Sequence, residues 1–372
     1  KEFEVSPPFE SWDNIEARLN KKEKKKRVIP FWFKPVGIAA VLMVSFFLFL
    51  NKKNDSSLIT NDSDVLNNNT ISNIEEYLDE NISTSSNDEI DQKTLKKEID
   101  WLIKCGSNGA VLAMVSEVLR FSASERRKQW QLSLEYLSGR IPLVVSVGAE
   151  SAAIAVGLAK DAQKDGATAV MATPPSAFVA SADEVKNYYQ RIIEAVDITV
   201  IVQDASNYLG APIELETYVE LIDKYGDERV QFKPEAKPVK ERLAQLNKIS
   251  NNRARVFEGQ GGIDLLDTHP LGVKGTMPGA EVPWAIVGLW NALENKDLTT
   301  AQAIHTPLAK LISYQTTLDA YVAVEKYLLV KQGVFVNTNQ RGPVGFKLDE
   351  QTKNKIDLAY SELAAAITPV AI

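Results

Sequence analysis

The residue best suited to covalent chemistry is Lys233, which closes the apolar run Val230-Gln231-Phe232 and is followed by Pro234, Glu235 and Ala236. Burial disfavours a charged ammonium, and a free amine attacks carbonyl carbon, so a lysine at a dry strand end has the chemistry of a Schiff-base nucleophile. Spacing alone equally allows a rim lysine whose stem lies on apolar surface while its head reaches water. A neighbouring apolar run ends in Gln203-Asp204-Ala205. Polar groups at a buried strand end call for partners or for function.

Two more constellations carry weaker signals. Ser116-Glu117 follows the run Ala113-Met114-Val115, and a serine with free backbone N–H groups at such a turn can hold a carboxylate. Ser122 with Glu125 fits a helix capping box better than a site. Gly259-Gln260-Gly261-Gly262 lets a substrate approach the backbone, although a plain tight turn reads the same way. So short a glycine-rich turn is not specific for phosphate.

Other chemistries find little support. The chain has one cysteine, Cys105, and two histidines, His269 and His305. No Cys/His cluster has zinc-ligand spacing, and no metal site is expected. A lone cysteine makes no internal disulfide, so the core must hold the fold. Both histidines read as structural or solvated. A net charge of −7 over 372 residues does not mark a nucleic-acid binder.

The elements that must position these residues lie between Lys93 and Ile372. Short apolar runs are read as strands over 110–115, 142–147, 169–173, 199–203, 230–232, 256–258 and 272–277. Helical patterns are read over 94–104, 124–137, 151–165, 182–195, 215–225, 239–248 and 262–268, then 284–294, 299–314, 318–332 and 350–366. Alternation of this kind marks a parallel α/β fold whose strands are buried on both faces. Each strand follows a helix, and the first helix has no convincing strand before it. A closed (β/α)8 barrel has eight strands, so its first is expected to be missing or degenerate. That leaves open edges and a stability below that of a closed barrel.

Residues 1–53 are different in kind. The basic run Lys21, Lys22, Lys24, Lys25, Lys26 and Arg27 precedes an apolar segment over 28–50 that contains Trp32. It reads as a single membrane anchor with a cytoplasmic N-terminus, because only Lys52 and Lys53 follow it closely. Residues 54–92 are rich in Asn, Ser, Asp and Thr and read as a disordered linker. The domain division is therefore 1–53, 54–92 and 93–372, with C-terminal helices from about 282.

From about Asp91 to Leu363 the chain resembles the dihydrodipicolinate synthase / N-acetylneuraminate lyase family. The resemblance rests on Ser116-Glu117 with Ser122 to Arg126, Gly139-Arg140-Ile141-Pro142-Leu143-Val144, Thr173-Pro174-Pro175, Phe232-Lys233 and Gly275-Thr276-Met277-Pro278-Gly279. Gln203-Asp204-Ala205 and the segment from Met171 to Pro175 look closer to 2-keto-3-deoxy-L-arabonate dehydratases. The family's threonine pair is here Met114-Val115, its proton-shuttling tyrosine Gln203, its arginine Tyr208, and the aromatic after its Thr-Pro is Pro175. The synthase's tyrosine-threonine relay is thus absent.

What the resemblance implies is a TIM-type barrel with a C-terminal helical extension and an imine between Lys233 and a 2-keto acid. The protonated imine is an electron sink for a carbanion at C3, which then expels a C4 hydroxyl or breaks C3–C4. Proton transfer would fall to Glu235 or to water positioned by Gln203. Ser116, Glu117, Asp204, Gly259, Gly261 and Met277 would bind substrate. No cofactor is needed, since the lysine supplies the electrophile, and a homo-oligomer is expected by analogy. Two other readings stand beside the lyase: a pyruvate-dependent aldolase or synthase, and a non-catalytic, membrane-tethered barrel remnant or gene join. Membrane localisation follows from the anchor, and cytoplasmic localisation from the barrel alone.

Overall fold

A computed structural model describes residues 89–372. The expected anchor over 28–50, the stub before it and the linker as far as residue 88 lie outside the described residues. Among the described residues no helix is long and apolar enough to cross a membrane.

Helix α1 (Gln92–Lys104) opens the described chain, N-capped by Asp91, so Gln92 belongs to a helix and not to the linker. Then follow β1 (Ala110–Leu112), α2 (Ala123–Leu137), β2 (Leu143–Ser146), α3 (Ala152–Asp165), β3 (Ala169–Ala172) and α4 (Ala182–Ile193). The alternation continues through β4 (Thr199–Asp204), α5 (Leu215–Tyr225), β5 (Val230–Pro234), α6 (Val239–Ile249), β6 (Phe257–Glu258), α7 (Leu265–Thr268) and β7 (Gly275–Thr276). Helices α8 (Pro283–Glu294), α9 (Leu298–Ile312), α10 (Leu318–Lys331) and α11 (Glu350–Ala366) complete the chain.

Strands β1 to β5 form one sheet in sequence order and β6 pairs with β7, every pair parallel. A parallel bridge between Phe232 and Val256 joins β5 to the β6 side. This is the strand-helix succession of a TIM-type barrel, with no strand before α1 among the described residues.

The two-residue period of the strands sorts side chains into two cores. Val170, Val200, Val202, Val230 and Phe232 point outward into the large core under the helices. Ala169, Met171 and Ile201 point inward and form a small core with Val111, Val144 and Met277 around it. Phe232 meets the Tyr218 ring of α5 edge-on at 4.8 Å, and that contact fixes which way its neighbour Lys233 must face.

Several expected boundaries move for local reasons. The strand expected over 110–115 ends at Leu112, because Met114–Ser116 forms a 3-10 turn and Glu117 takes a left-handed φ of 58°. The strand expected over 272–277 shrinks to Gly275–Thr276, since Gly272 caps a 3-10 turn at a φ of 87°. The helix expected over 262–268 starts only at Leu265, after Gly261 and Gly262 at positive φ. In the opposite direction, β5 runs on through Lys233 to Pro234, so the lysine is inside the strand and not just past it.

The two histidines are tied to structure. His269 Nε2 lies 2.8 Å from Glu294 Oε1 and His305 Nε2 lies 2.6 Å from the Ile263 carbonyl. Cys105 is buried, and burial pushes its thiol up to about 11.

Candidate active site

Register and alternation bring the central residues together. Gln203 on β4 and Lys233 on β5 are register partners, and both belong to the inward series at the C-terminal ends of their strands. Active sites of parallel barrels are built at that end. Lys233 is 5% exposed, Gln203 1% and Glu235 2%. Lys233 Nζ lies 3.0 Å from Glu235 Oε1, and Gln203 Nε2 donates to Glu235 Oε2 at 2.8 Å. Each carboxylate oxygen thus has its own donor.

Glu235 is held by its backbone as well. Its N–H donates to the Asp204 carbonyl at 2.9 Å, and its carbonyl accepts from Gln260 Nε2 at 2.9 Å and from Asn207 Nδ2. Such fixation keeps the carboxylate under the lysine instead of letting it follow solvent. A Cβ on Gly259 would stand 2.6 Å from Glu235 Cγ and 2.8 Å from Lys233 Nζ. Here the absence of a side chain is what lets the lysine and carboxylate occupy their places.

A small cavity of about 40 Å³ opens at this group, lined by Lys233, Glu235, Gln203, Tyr208, Met277 and Tyr321 among others. Burial, and then the carboxylates of Glu235, Glu281 and Glu258, push the Tyr208 phenol up to about 12. It is therefore a neutral hydroxyl near neutral pH. Tyr321 comes from α10 and its hydroxyl accepts from Gly279 N–H at 2.8 Å.

The other expected residues divide. Gly259 and Met277 line the cavity. Asp204 points outward instead, accepting from Ser206 N–H at 3.1 Å and Ile213 N–H at 2.9 Å, with Arg242 at 3.6 Å. Its strand position explains this: it is one residue past the inward-facing Gln203. Glu117 pairs with Lys326 at 2.6 Å and accepts from Arg341 N–H at 2.7 Å. Ser116 accepts through its carbonyl from Gln129 Nε2 at 3.1 Å. Both line a larger cavity beside the Lys233 pocket and not the pocket itself. Gly261, at a φ of 65°, packs its backbone against Ile312.

Residue spacing did not reveal Tyr321 or Glu258. Tyr321 lies in a C-terminal helix with no distinctive spacing. The buried Glu258 carboxylate accepts from Gln260 N–H at 2.9 Å, Gly262 N–H at 3.1 Å and the Thr276 hydroxyl, which anchors the glycine turn. An acidic residue closing the short run before that turn was the one available signal.

A parallel barrel with a buried lysine-carboxylate pair at the C-terminal strand ends has the build of a barrel enzyme, whose active site lies at that end. The profile of the Dihydrodipicolinate synthetase family matches residues 82–362, and the chain belongs to that family. It is 26% identical over 285 residues to the probable 2-dehydro-3-deoxy-D-pentonate aldolase YjhH of Escherichia coli (strain K12), covering 76% of this chain and 93% of that protein. It is also 26% identical over 264 residues to the L-2-keto-3-deoxyarabonate dehydratase of Azospirillum brasilense, covering 69% and 84%. In fold it is similar to the 4-hydroxy-tetrahydrodipicolinate synthase of Methylacidiphilum fumariolicum SolV, with a TM-score of 0.69 at 20% identity over 75% of this chain and 92% of that one. A structure of YagE from Escherichia coli K12 in complex with pyruvate aligns with a TM-score of 0.68 at 20% identity, covering 75% and 94%.

Proposed function

We propose that this chain is a Schiff-base lyase acting on a 2-keto-3-deoxy sugar acid or a similar 2-keto acid, with Lys233 forming the imine. The observation that carries the reading is the 3.0 Å contact between Lys233 Nζ and Glu235, with Gln203 on the other carboxylate oxygen. Proton transfer within that pair leaves a neutral amine and a carboxylic acid. The amine adds to C2 of the keto acid, and the acid returns its proton as the carbinolamine loses water. The protonated imine then draws electrons from C3. Glu235, again a carboxylate, takes the C3 proton, and the enamine expels the C4 hydroxyl as water with that proton. In the alternative outcome Glu235 takes the proton of the C4 hydroxyl, C3–C4 breaks to release an aldehyde and leave the enamine, and that proton returns to C3 to give the imine. Hydrolysis of the imine frees the product and restores Lys233.

Gln203 cannot be an acid, so its role is orientation. Its Oε1 is buried without a hydrogen-bond partner among the described residues, which leaves an acceptor for a substrate hydroxyl. Gly259 and Met277 bound the substrate, and the neutral Tyr208 hydroxyl replaces the positive charge of the family's arginine. Residues 93–372 are the working unit, with the helices from about 282 supplying Tyr321. The names of the two relatives, an aldolase and a dehydratase, support a keto-deoxy acid and leave both bond cleavages open. A pyruvate-dependent synthesis uses the same enamine in reverse.

Borohydride reduction of the full chain with pyruvate tests the reading. A reduced adduct is expected on the peptide that carries Lys233 and is expected to vanish in Lys233→Ala. Covalent trapping that persists in the variant would overturn it.

A further inference from the structure

Behind the wall of the Lys233 cavity stand two carboxylates that the imine chemistry does not use. Glu281 and Glu325 are 1% and 6% exposed. Glu281 follows β7 in the segment that leads to α8, and Glu325 belongs to α10. A Cβ on Gly279 would overlap Glu281 Oε2 and stand 2.8 Å from Glu325 Oε1, so both carboxylates meet over one Cα. Glu281 Oε1 accepts from Gln315 Nε2 at 2.7 Å, whereas its Oε2 is buried without a hydrogen-bond partner among the described residues. Two buried carboxylates this close cannot both be ionised, because burial and a neighbouring like charge both disfavour the charged form. Burial, and then the charge of Glu281, accordingly raise Glu325 well above the ordinary carboxylate range, and burial raises Glu281 as well.

The pair sits where helix α10 grips the barrel. Tyr321 and Glu325 are four residues apart on α10 and share a face. Gly279 N–H donates to the Tyr321 hydroxyl at 2.8 Å, and the next amide, Ala280 N–H, donates to Glu325 Oε1 at 2.6 Å. Gln332, the C-cap of α10, donates to the Glu281 carbonyl at 2.7 Å. Consecutive residues after β7 are thus held from one helix. Pro278, Gly279 and Tyr321 line the cavity at Lys233, so this grip sets the position of its wall. Docking alone needs only an acceptor for Ala280 N–H, which a neutral glutamine also has. A carboxyl pair adds dependence on a proton.

We propose that Glu281 and Glu325 hold one proton between them and act together as positioning residues for the keto-acid site, fixing Gly279 and Tyr321 at the wall of the Lys233 cavity. The role in substrate binding rests on the proposed function of Lys233; the shared proton does not. With the proton in place, one carboxyl group donates to the other and both amides stay bound. When it is lost, like charge drives the carboxylates apart, Ala280 N–H is released and the wall shifts. Facing the pair are Tyr321 and Tyr208, both neutral phenols, Glu98 of α1, and Lys326, which Glu117 holds at 2.6 Å. Burial raises Glu98 to about 7, so its titration is separated by substitution.

Hydrogen exchange in full-length Lys233→Ala, which keeps the pair and removes the chemistry, reads the shared proton. Protection of the Gly279 and Ala280 amides, corrected for intrinsic rates, is expected to fall about tenfold as pH rises above neutrality. KM for a 2-keto-3-deoxy acid in the wild-type chain is expected to rise over the same range. Glu325→Gln keeps an acceptor for Ala280 N–H and gives Glu281 Oε2 a donor that base does not remove. It is expected to abolish both changes, whereas Glu98→Gln is expected to retain them. Infrared difference spectra between the wild type and Glu325→Gln at neutral pH are expected to show one carboxylic acid lost. Loss of a carboxylate instead, or pH-dependent protection that persists in Glu325→Gln, overturns the proposal. So does protection that falls while KM stays constant, which would leave the pair a purely structural one. Trapping of a keto acid by Lys233→Ala would remove the proposed function, and the infrared and exchange results would still decide the shared proton.

Discussion

Lys233 Nζ and Glu235 Oε1 meet at 3.0 Å with their side chains 7% and 2% exposed. Two charges taken out of water hold each other only if the remaining lone pairs are also satisfied. Gln203 Nε2 donates to the second carboxylate oxygen, and Lys233 Nζ donates to the Gly259 carbonyl at 3.5 Å. The pair is a poor means of stabilisation and an apt one for keeping an amine and a proton acceptor in contact, which is the arrangement imine chemistry requires.

Removing one member separates the two roles. Glu235→Gln keeps the shape and removes the proton acceptor. Turnover is expected to fall about 10²- to 10⁴-fold, while borohydride still traps a keto acid on Lys233, more slowly, because Glu235 also carries the protons of imine formation. Full activity in this variant, measured with a panel of 2-keto-3-deoxy acids, would exclude Glu235 as the proton carrier.

Gly259→Ala places a methyl group within 2.6 Å of Glu235 Cγ and 2.8 Å of Lys233 Nζ. Overpacking of that kind costs about 1–3 kcal/mol, and the amine must move. Thermal denaturation is expected to show the loss of stability, together with slower reductive trapping. A variant that traps pyruvate at the wild-type rate would show that the lysine tolerates displacement.

Glu98 on α1 responds to pH. Burial raises its carboxyl from 4.5 to about 7, against a smaller opposing effect of Lys326. The folded state therefore binds more protons than the unfolded state between those values. Stability from this group is present below the unfolded value and is lost as pH rises through about 7. Glu98→Gln is expected to flatten that part of the curve in urea titrations at successive pH values. An unchanged slope would place the titration elsewhere.

Ser116→Ala distinguishes the two cavities. Because Ser116 lines the larger cavity and not the Lys233 pocket, KM for the keto acid is expected to stay within about twofold. A rise of tenfold or more would return Ser116 to the role of carboxylate ligand. Ser122→Ala, by contrast, removes a capping box and is expected to cost about 1 kcal/mol in stability with no change in KM.

Much of the fold could be read in advance because its signals are local. Apolar runs separated by helical patterns announced parallel strands, and Ser122 with Glu125 announced the start of α2, which the structure shows as a complete capping box. Boundaries failed where backbone conformation departs from side-chain pattern. Val115 reads as strand and sits in a 3-10 turn before the left-handed Glu117. Gly272 and Val273 read as strand and belong to the approach to β7.

The site divides in the same way. Residue types and order along the chain drew attention to Lys233, Gln203 and Asp204, because a charged or amide group at the end of a buried run is costly wherever it lies, while Glu235 entered only through what the family resemblance implies. Tertiary structure alone decided which of the neighbouring polar residues face the amine. One step along β4 separates Gln203, which reaches Glu235, from Asp204, which turns outward to the Ile213 amide. It also brought Tyr321 from α10 to the cavity, 88 residues along the chain from Lys233. Strand alternation is a local property, but the register between strands and the docking of a distant helix depend on which surfaces can be buried together, and no stretch of sequence states that by itself.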